Sequence, residues 1–250
     1  MKQIRLVGVW LMCLMLGLSV TSCLKGEDNN MVTITSLVRA EGTSFYDNAG
    51  LELVPSNPQK ALTGQMVYIQ FKYDRTLVKE GIKKLPIELH GMSAPFAIQA
   101  ATLAESATVG NAPVYSFNGG RTEAAQLSYL FWNKNIVVFP TTILHSGKTM
   151  EEATADAERH TYKLVFDKQA GFADGVLTLR FCHSVNDAQG EEVTRVVPGN
   201  VNHAFDLSNV FAALPGAVKK IKLVVDENHQ NDKMAEAQVK TYEFNYPFAQ

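Results

Sequence analysis

Hydrophobic and polar residues alternate along much of this chain with a period of two. In residues 65–74, Val67, Ile69, Phe71 and Tyr73 share one face, and the other face carries Met66, Tyr68, Gln70, Lys72 and Asp74. A period of two is that of a β-strand, whereas a helix repeats every 3.6 residues. The pattern therefore predicts a half-buried strand here, and shorter strands at residues 162–166, 177–181, 221–225 and 242–246.

Turn-forming residues separate these runs, at positions 47–50, 55–58, 173–175 and 215–216. Short strands at this spacing, without helices between them, are typical of a β-sandwich or β-barrel. One helix is predicted at residues 149–159, because Thr149 and Glu152 have the spacing of a capping box. We therefore predict an all-β fold with at most one short helix after the N-terminal segment. The residues predicted for the cores are Ile69, Phe71, Leu179, Phe244 and Tyr246, and those predicted to point outward are Lys72, Glu243 and Asn245.

The N-terminus has the three parts of a signal peptide. Lys2 and Arg5 supply positive charge, residues 6–20 are apolar, and residues 18–23 (Leu-Ser-Val-Thr-Ser-Cys) resemble a bacterial lipobox. The alternative, a membrane-spanning helix, needs roughly 20 apolar residues. We therefore expect removal of residues 1–22 and acylation of Cys23, which attaches the protein to the membrane through its lipid.

Residues 23–30 are polar and are predicted to be a lipidated linker. Lys25, Glu27 and Asp28 are similar to the acidic export signal of Bacteroidota surface lipoproteins, although a simple solvated tether has the same composition. We therefore expect an outer-membrane lipoprotein that faces either the periplasm or the cell surface.

Charge and cysteine content exclude several classes of protein. The 23 basic and 25 acidic residues leave no positive excess to neutralise phosphates, so no nucleic-acid partner is expected. Cys13 lies in the segment that is removed and Cys23 is acylated, which leaves only Cys182 as a free thiol and no disulfide. Small and polar residues interrupt the strand pattern at 104–111, so we predict one domain at 31–105 and a second at 106–250.

Several segments resemble the NigD-like lipoproteins of Bacteroidota. They are residues 44–55 (Ser-Phe-Tyr-Asp-Asn-Ala-Gly-Leu-Glu-Leu-Val-Pro), the turn and strand at 63–73, and the closing pattern at 219–225 and 239–246. The resemblance implies an N-terminal OB-like β-barrel followed by a C-terminal β-sandwich. The resemblance identifies no catalytic residue in this chain. The family takes its name from a gene in a bacteriocin locus, so a bacteriocin-immunity type of self-protection factor is an alternative function.

No residue cluster in the sequence predicts catalysis or a metal site. None of the six histidines has another histidine at ligand spacing, so they are expected to be exposed at strand edges, although His183 and His203 are candidates to meet at a sheet end. Cys182 has no evident base beside it and is a weak candidate nucleophile. We predict no catalytic residues, no metal and no cofactor. An unrecognised hydrolase stays open, since a β scaffold does not exclude one.

The outer face of the long strand at residues 65–74 is the one candidate ligand surface. Tyr68, Gln70 and Lys72 are placed there as a stacking aromatic with polar and basic neighbours, an arrangement that OB-type barrels use for ligands. The alternative is that Tyr68 packs against a neighbouring strand. Together these patterns predict a lipid-anchored outer-membrane or surface protein that binds or assembles with an unidentified envelope or extracellular partner, without catalysis.

Overall fold

The structure is a computed structural model that describes residues 30–57, 60–106, 108–117, 131–147, 149–189 and 193–249. The chain divides between Ala97 and Ile98 into two compact units, which are called here the first and second domains. The predicted all-β class is confirmed, because the described elements are nearly all strands. The predicted signal peptide, Cys23 and most of the linker lie outside the described residues.

The first domain is a closed β-barrel. Its strands follow the spatial order β1-β2-β3-β5-β4, and β4 pairs back with β1 to close the sheet. β3 and β5 are parallel, and the other pairs in the barrel are antiparallel. This five-stranded closure confirms the predicted OB-like barrel. The described strands are β1 (Met31–Gly42), β2 (Ser44–Tyr46), β3 (Glu52–Pro55), β4 (Leu62–Asp74) and β5 (Lys84–Met92), with a 3₁₀ turn at Arg75–Leu77 after β4.

The register of β4 agrees with the alternation in the sequence. Val67, Ile69 and Phe71 are buried in the barrel core, while Gln70 is exposed. Lys72 is half-buried rather than fully outward. Bulges shift the pairing of β4 with β1 and with β5, and such bulges strengthen the bend that a small barrel needs.

Met66 departs from the expected outer face, because its side chain is completely buried. At this end of β4 the neighbouring strand is β6 (Phe96–Ala100), and Met66 pairs with Phe96. Directly paired residues point to the same face of a sheet, so Phe96 lies beside Met66 on the side that alternation assigns to solvent.

The second domain is a β-sandwich. One sheet has the order β6-β13-β9-β8, with residues 98–100 of β6 pairing with β13, and the other has the order β15-β14-β12-β10-β7 with β11 beside β12. Both sheets contribute to one core, in which Phe139 and Phe205 contact Phe181. The described strands are β7 (Thr102–Ala104), β8 (Ser116–Phe117), β9 (Ile136–His145), β10 (His160–Asp167), β11 (Phe172–Ala173), β12 (Val176–Val185), β13 (Val197–Asp206), β14 (Lys220–Glu227) and β15 (Gln238–Asn245).

The core predictions for this domain hold at Leu179 and Phe244, which are buried, and Tyr246 is partly buried against the same core. Glu243 and Asn245 are exposed, as predicted. The domain division differs from the predicted one at 105/106, because β7 pairs with β10 of the second domain and Ala112 bridges to His183. The polar segment at 104–111 therefore belongs to the sandwich.

Two α-helices lie within the described residues. α1 (Met150–Ala157) has the predicted capping box, with the Thr149 hydroxyl accepting from the Glu152 N–H and the Glu152 carboxylate accepting from the Thr149 N–H. α2 (Ser208–Ala213) was not predicted, so the limit of one helix is wrong. Six residues are too few to show a 3.6-residue period, and α2 is held instead by burial of Val210. A 3₁₀ turn at Met234–Glu236 precedes β15. In the part of the chain that the structure describes, no helix has the length and apolar character needed to cross a membrane.

Candidate ligand pocket in the second domain

A pocket of about 340 Å³ opens in the second domain. Leu144 and Val185 supply part of an apolar wall, and titratable groups supply much of the rest. A concave site in which polar and titratable groups converge is the usual location of ligand binding or chemistry. The polar residues that line it are Asn111, Tyr115, His160, His183, Asp187, Thr194, Arg195, Asn231 and Asp232.

Four histidines lie in the interior near this pocket. His160, His183 and His203 are buried and His145 is half-buried, so the prediction of exposed edge histidines is wrong for these four. Asp156 of α1 lies against His145 and His160, and the Pro113 carbonyl lies against His183. His203 packs in the core against Phe139 and Phe181. Burial lowers the pKa of His203 to about 3 and that of His183 to about 4, because an uncharged ring is favoured away from water.

His183 and His203 lie near one another, as the alternation of their strands suggested, and the ring of Tyr162 contacts both of them. The centroid of the Tyr162 ring lies 5.2 Å from that of His183 and 4.4 Å from that of His203. His203 Nε2 is 2.8 Å from the Thr141 hydroxyl, which gives this fully buried ring a polar partner.

A hydrogen-bonded chain runs from α1 through two histidines to the backbone. A carboxylate oxygen of Asp156 lies 3.0 Å from His160 Nε2, and His160 Nδ1 lies 2.8 Å from His183 Nε2. The chain ends where His183 Nδ1 lies 2.8 Å from the Pro113 carbonyl oxygen, which can only accept a hydrogen bond. Burial also lowers the pKa of His160, against the attraction of Asp156.

Arg195 holds two carboxylates at once. Its Nη2 donates to Asp156 at 2.9 Å and to Asp187 at 2.6 Å, while Nε donates again to Asp156 at 3.1 Å. Burial alone raises the pKa of Asp156, but hydrogen bonds from the Ser146 N–H, Arg195 and His160 outweigh it and hold the pKa below its usual value. Hydrogen bonds to Asp187 and Asp156 raise the pKa of Arg195. Both charges of the Asp156–Arg195 pair are therefore fixed at neutral pH.

The predicted ligand face on β4 lies in the first domain and does not line this pocket. Tyr68 is half-buried, with its ring centroid 6.4 Å from that of Phe96, and its backbone N–H donates to the Ser93 hydroxyl. The contact with Phe96 favours a packing role for Tyr68. Gln70 is exposed and Lys72 half-buried, and a ligand role for these three residues stays a prediction.

Cys182 is buried and lines a neighbouring cavity. Its thiol donates to the Thr108 carbonyl at 3.2 Å, and burial raises its pKa, which disfavours the thiolate that a nucleophile needs.

Sequence reasoning missed Asp156, His160 and Arg195 as a group. One signal was present, because Asp156 and His160 are four residues apart at the end of a predicted helix, where side chains can lie on the same side. Arg195 gave no signal, since it lies in a loop without a periodic pattern, 39 positions from Asp156.

Solved structures share this architecture. A crystal structure of a proposed lipoprotein from Bacteroides fragilis aligns with a TM-score of 0.68 and 23% identity, over 88% of this chain and 100% of that chain. The chain has the fold of this Bacteroides protein. A protein of unknown function from Bacteroides vulgatus aligns with a TM-score of 0.50 and 14% identity, over 87% of this chain and 92% of that one. No protein-family model and no curated protein matches the chain.

A NigD-like immunity protein from Bacteroides caccae aligns with a TM-score of 0.46 and 13% identity, over 88% of this chain and 99% of that one. The alignment with the Bacteroides fragilis protein confirms the predicted resemblance to a Bacteroidota lipoprotein at the level of the fold. This last TM-score is too low to support an argument about immunity, which stays a prediction.

Proposed function

We propose that this protein is a lipid-anchored binding or assembly protein of the bacterial outer membrane, without catalytic activity, and that its second-domain pocket holds the ligand or partner. The single observation that carries the binding role is the pocket itself. Its charged walls are fixed in place by Arg195, which joins Asp156 on α1 to Asp187 after β12. Such mutual hydrogen bonding presents a preformed surface to a partner, which limits the entropy lost on binding.

The pocket supports binding better than catalysis. Buried groups with shifted pKa values, which the pocket has, are one feature of an active site. Chemistry also needs a nucleophile within reach of a base, and in the described residues neither hydroxyl of the lining, Tyr115 or Thr194, is hydrogen-bonded to His160 or His183. His160 and His183 are bonded to one another and to fixed acceptors rather than to a hydroxyl or thiol.

The anchor is tested by replacing Cys23 with alanine. We expect the variant to stay uncleaved or unlipidated and to leave the outer-membrane fraction, because the lipid on Cys23 is the proposed attachment. Mass spectrometry of the mature N-terminus and membrane fractionation measure this. Cys182→Ala is the matched control and is expected to stay in the membrane fraction, since its buried thiol has no part in anchoring. A mature wild-type chain that begins at any residue other than acylated Cys23 contradicts the proposal.

The binding surface is tested by capture from cell envelopes with the intact, lipidated protein. Thr194→Trp places a large ring at the pocket from an exposed position and is expected to abolish capture of the component that the wild type recovers. Thr241→Trp, exposed on β15 and not part of the pocket lining, is the matched control and is expected to capture normally. Tyr68→Ala is also expected to capture normally. Loss of capture with Tyr68→Ala but not with Thr194→Trp would move the binding site to the β4 face.

A further inference from the structure

The hydrogen-bonded chain from Asp156 to Pro113 needs one more positive charge than two neutral histidines supply. Its three contacts each require a proton, yet two neutral imidazoles carry only two ring protons. The Pro113 carbonyl takes one, and the contact between the two rings takes the other. His160 Nε2 is then left with a lone pair that faces the Asp156 carboxylate at 3.0 Å, an arrangement that requires a positive charge between the two atoms.

A second unsatisfied group points to the same place. His145 Nδ1 is shielded from solvent and has no hydrogen-bond partner among the described residues, and it lies 3.7 Å from the same Asp156 oxygen. An additional proton on His160 satisfies the first contact but leaves His145 Nδ1 unpaired. One divalent cation satisfies both nitrogens and the carboxylate together.

We infer that His145 Nδ1, Asp156 Oδ2 and His160 Nε2 form a binding site for a divalent transition-metal ion such as Zn²⁺. The three ligand atoms all lie within 4.8 Å of one another. Ligands at zinc distances in a tetrahedral site are roughly 3.3 Å apart, and the separations of 3.0 and 3.7 Å fall on either side of that value. Imidazole nitrogen with one carboxylate is a donor set that suits Zn²⁺, Fe²⁺, Cu²⁺ and Ni²⁺.

The surroundings have the outer contacts that metal ligands use. With an ion on Nε2, His160 donates its Nδ1 proton to His183, and His183 donates its own to Pro113, so both rings are neutral with fixed tautomers. Asp156 is oriented by Arg195, whose charge is offset by Asp187. His160 also lines the pocket, which gives an ion a route from solvent. The inference departs from the sequence prediction of no metal site and does not depend on what the pocket binds.

Zinc binding to the full mature chain tests the inference, after the protein has been stripped with a chelator and dialysed. We expect one Zn²⁺ per chain by elemental analysis, and competition with a chromophoric chelator gives the affinity. His145→Gln should lower that affinity at least about tenfold, because it removes one ligand. It is also expected to fold, since His145 Nδ1 makes no hydrogen bond in the described structure. His90→Gln, at an exposed position on β5, is the matched control and should bind as the wild type does.

Ring-nitrogen NMR of the wild type provides a second readout that does not depend on how any variant folds. Zinc should shift His145 Nδ1 and His160 Nε2 and leave His203 unchanged. The inference is overturned if zinc does not bind stoichiometrically, if His145→Gln binds with unchanged affinity, or if the metal-free protein carries protons on both ring nitrogens of His160 and zinc leaves them there. The last result would show that a third proton occupies the position assigned to the ion.

Discussion

Replacement of Arg195 by methionine is expected to destabilise the second domain by about 3–5 kcal/mol, the usual cost of removing one partner from a buried ion pair. Arg195 is 5% exposed and Asp156 is 3% exposed, so the remaining carboxylate has almost no access to water. Asp187 is more exposed and keeps its ion pair with Arg159, so the cost arises mainly at Asp156. Methionine retains most of the apolar volume of the arginine stem, which separates lost charge from lost packing.

Urea unfolding of the chain that begins at Cys23, in chelator, measures this effect. Trp132 is the only tryptophan of that chain and lies in the second domain, so its fluorescence reports on the sandwich. Lys168→Met is the matched control, because Lys168 forms an exposed pair with Glu105 in the same domain and should cost less than about 1 kcal/mol. A loss for Arg195→Met no larger than that of the control contradicts the buried pair.

A double variant distinguishes the electrostatic cause from a general loss of packing. If the cost of Arg195→Met is the uncompensated carboxylate, then adding Asp156→Asn should recover part of it, because an amide is cheaper to bury than a charge. The two substitutions together should then destabilise by less than the sum of the single changes. Simple additivity would mean that the two side chains do not interact.

The sequence predicted those parts of the fold whose signal is local. The alternation of β4 placed Ile69 and Phe71 in the barrel core, and the Thr149–Glu152 spacing located α1. The turn residues at 47–50 also predicted a turn, and there the Asp47 side chain accepts hydrogen bonds from the Ala49 and Leu51 N–H groups. Each of these features depends on neighbours a few residues away, which is the range over which sequence periodicity and capping act.

The pocket was not predictable in this way, because its contacts are formed between distant positions. Asp156 lies on a weakly apolar helix, where a carboxylate is ordinarily solvated, and its burial depends on partners outside the helix, among them Arg195 from a later loop. The sequence pattern of histidines that alternate with core residues is the same whether the end of their strand is covered by other parts of the protein or exposed to water. The polar segment at 104–111 was predicted to hold the domain boundary, although Asn111 at its end lines the pocket.

Gly110→Ala is expected to destabilise the second domain by about 3 kcal/mol or more, because this segment lies directly against β12. A β-carbon at Gly110 would lie 2.8 Å from the carbonyl carbon of His183 and 2.9 Å from its nitrogen, closer than side chains approach backbone. Backbone atoms of a paired strand cannot rotate away, so the segment itself must shift. The shift is expected to break the hydrogen bonds that Asn111 makes with Val185 and that the Ala112 N–H makes with His183.

Gly216→Ala is the matched control in the same domain. Its added β-carbon would meet only ring atoms of Phe172 at ordinary contact distance, 3.8 Å, so its stability should change by no more than about 0.5 kcal/mol. Trp132 fluorescence in urea measures both variants. Equal midpoints for Gly110→Ala and Gly216→Ala would mean that the segment does not approach β12 closely. The pocket would then lack the wall that positions Pro113 against His183, since the same close approach carries that hydrogen bond.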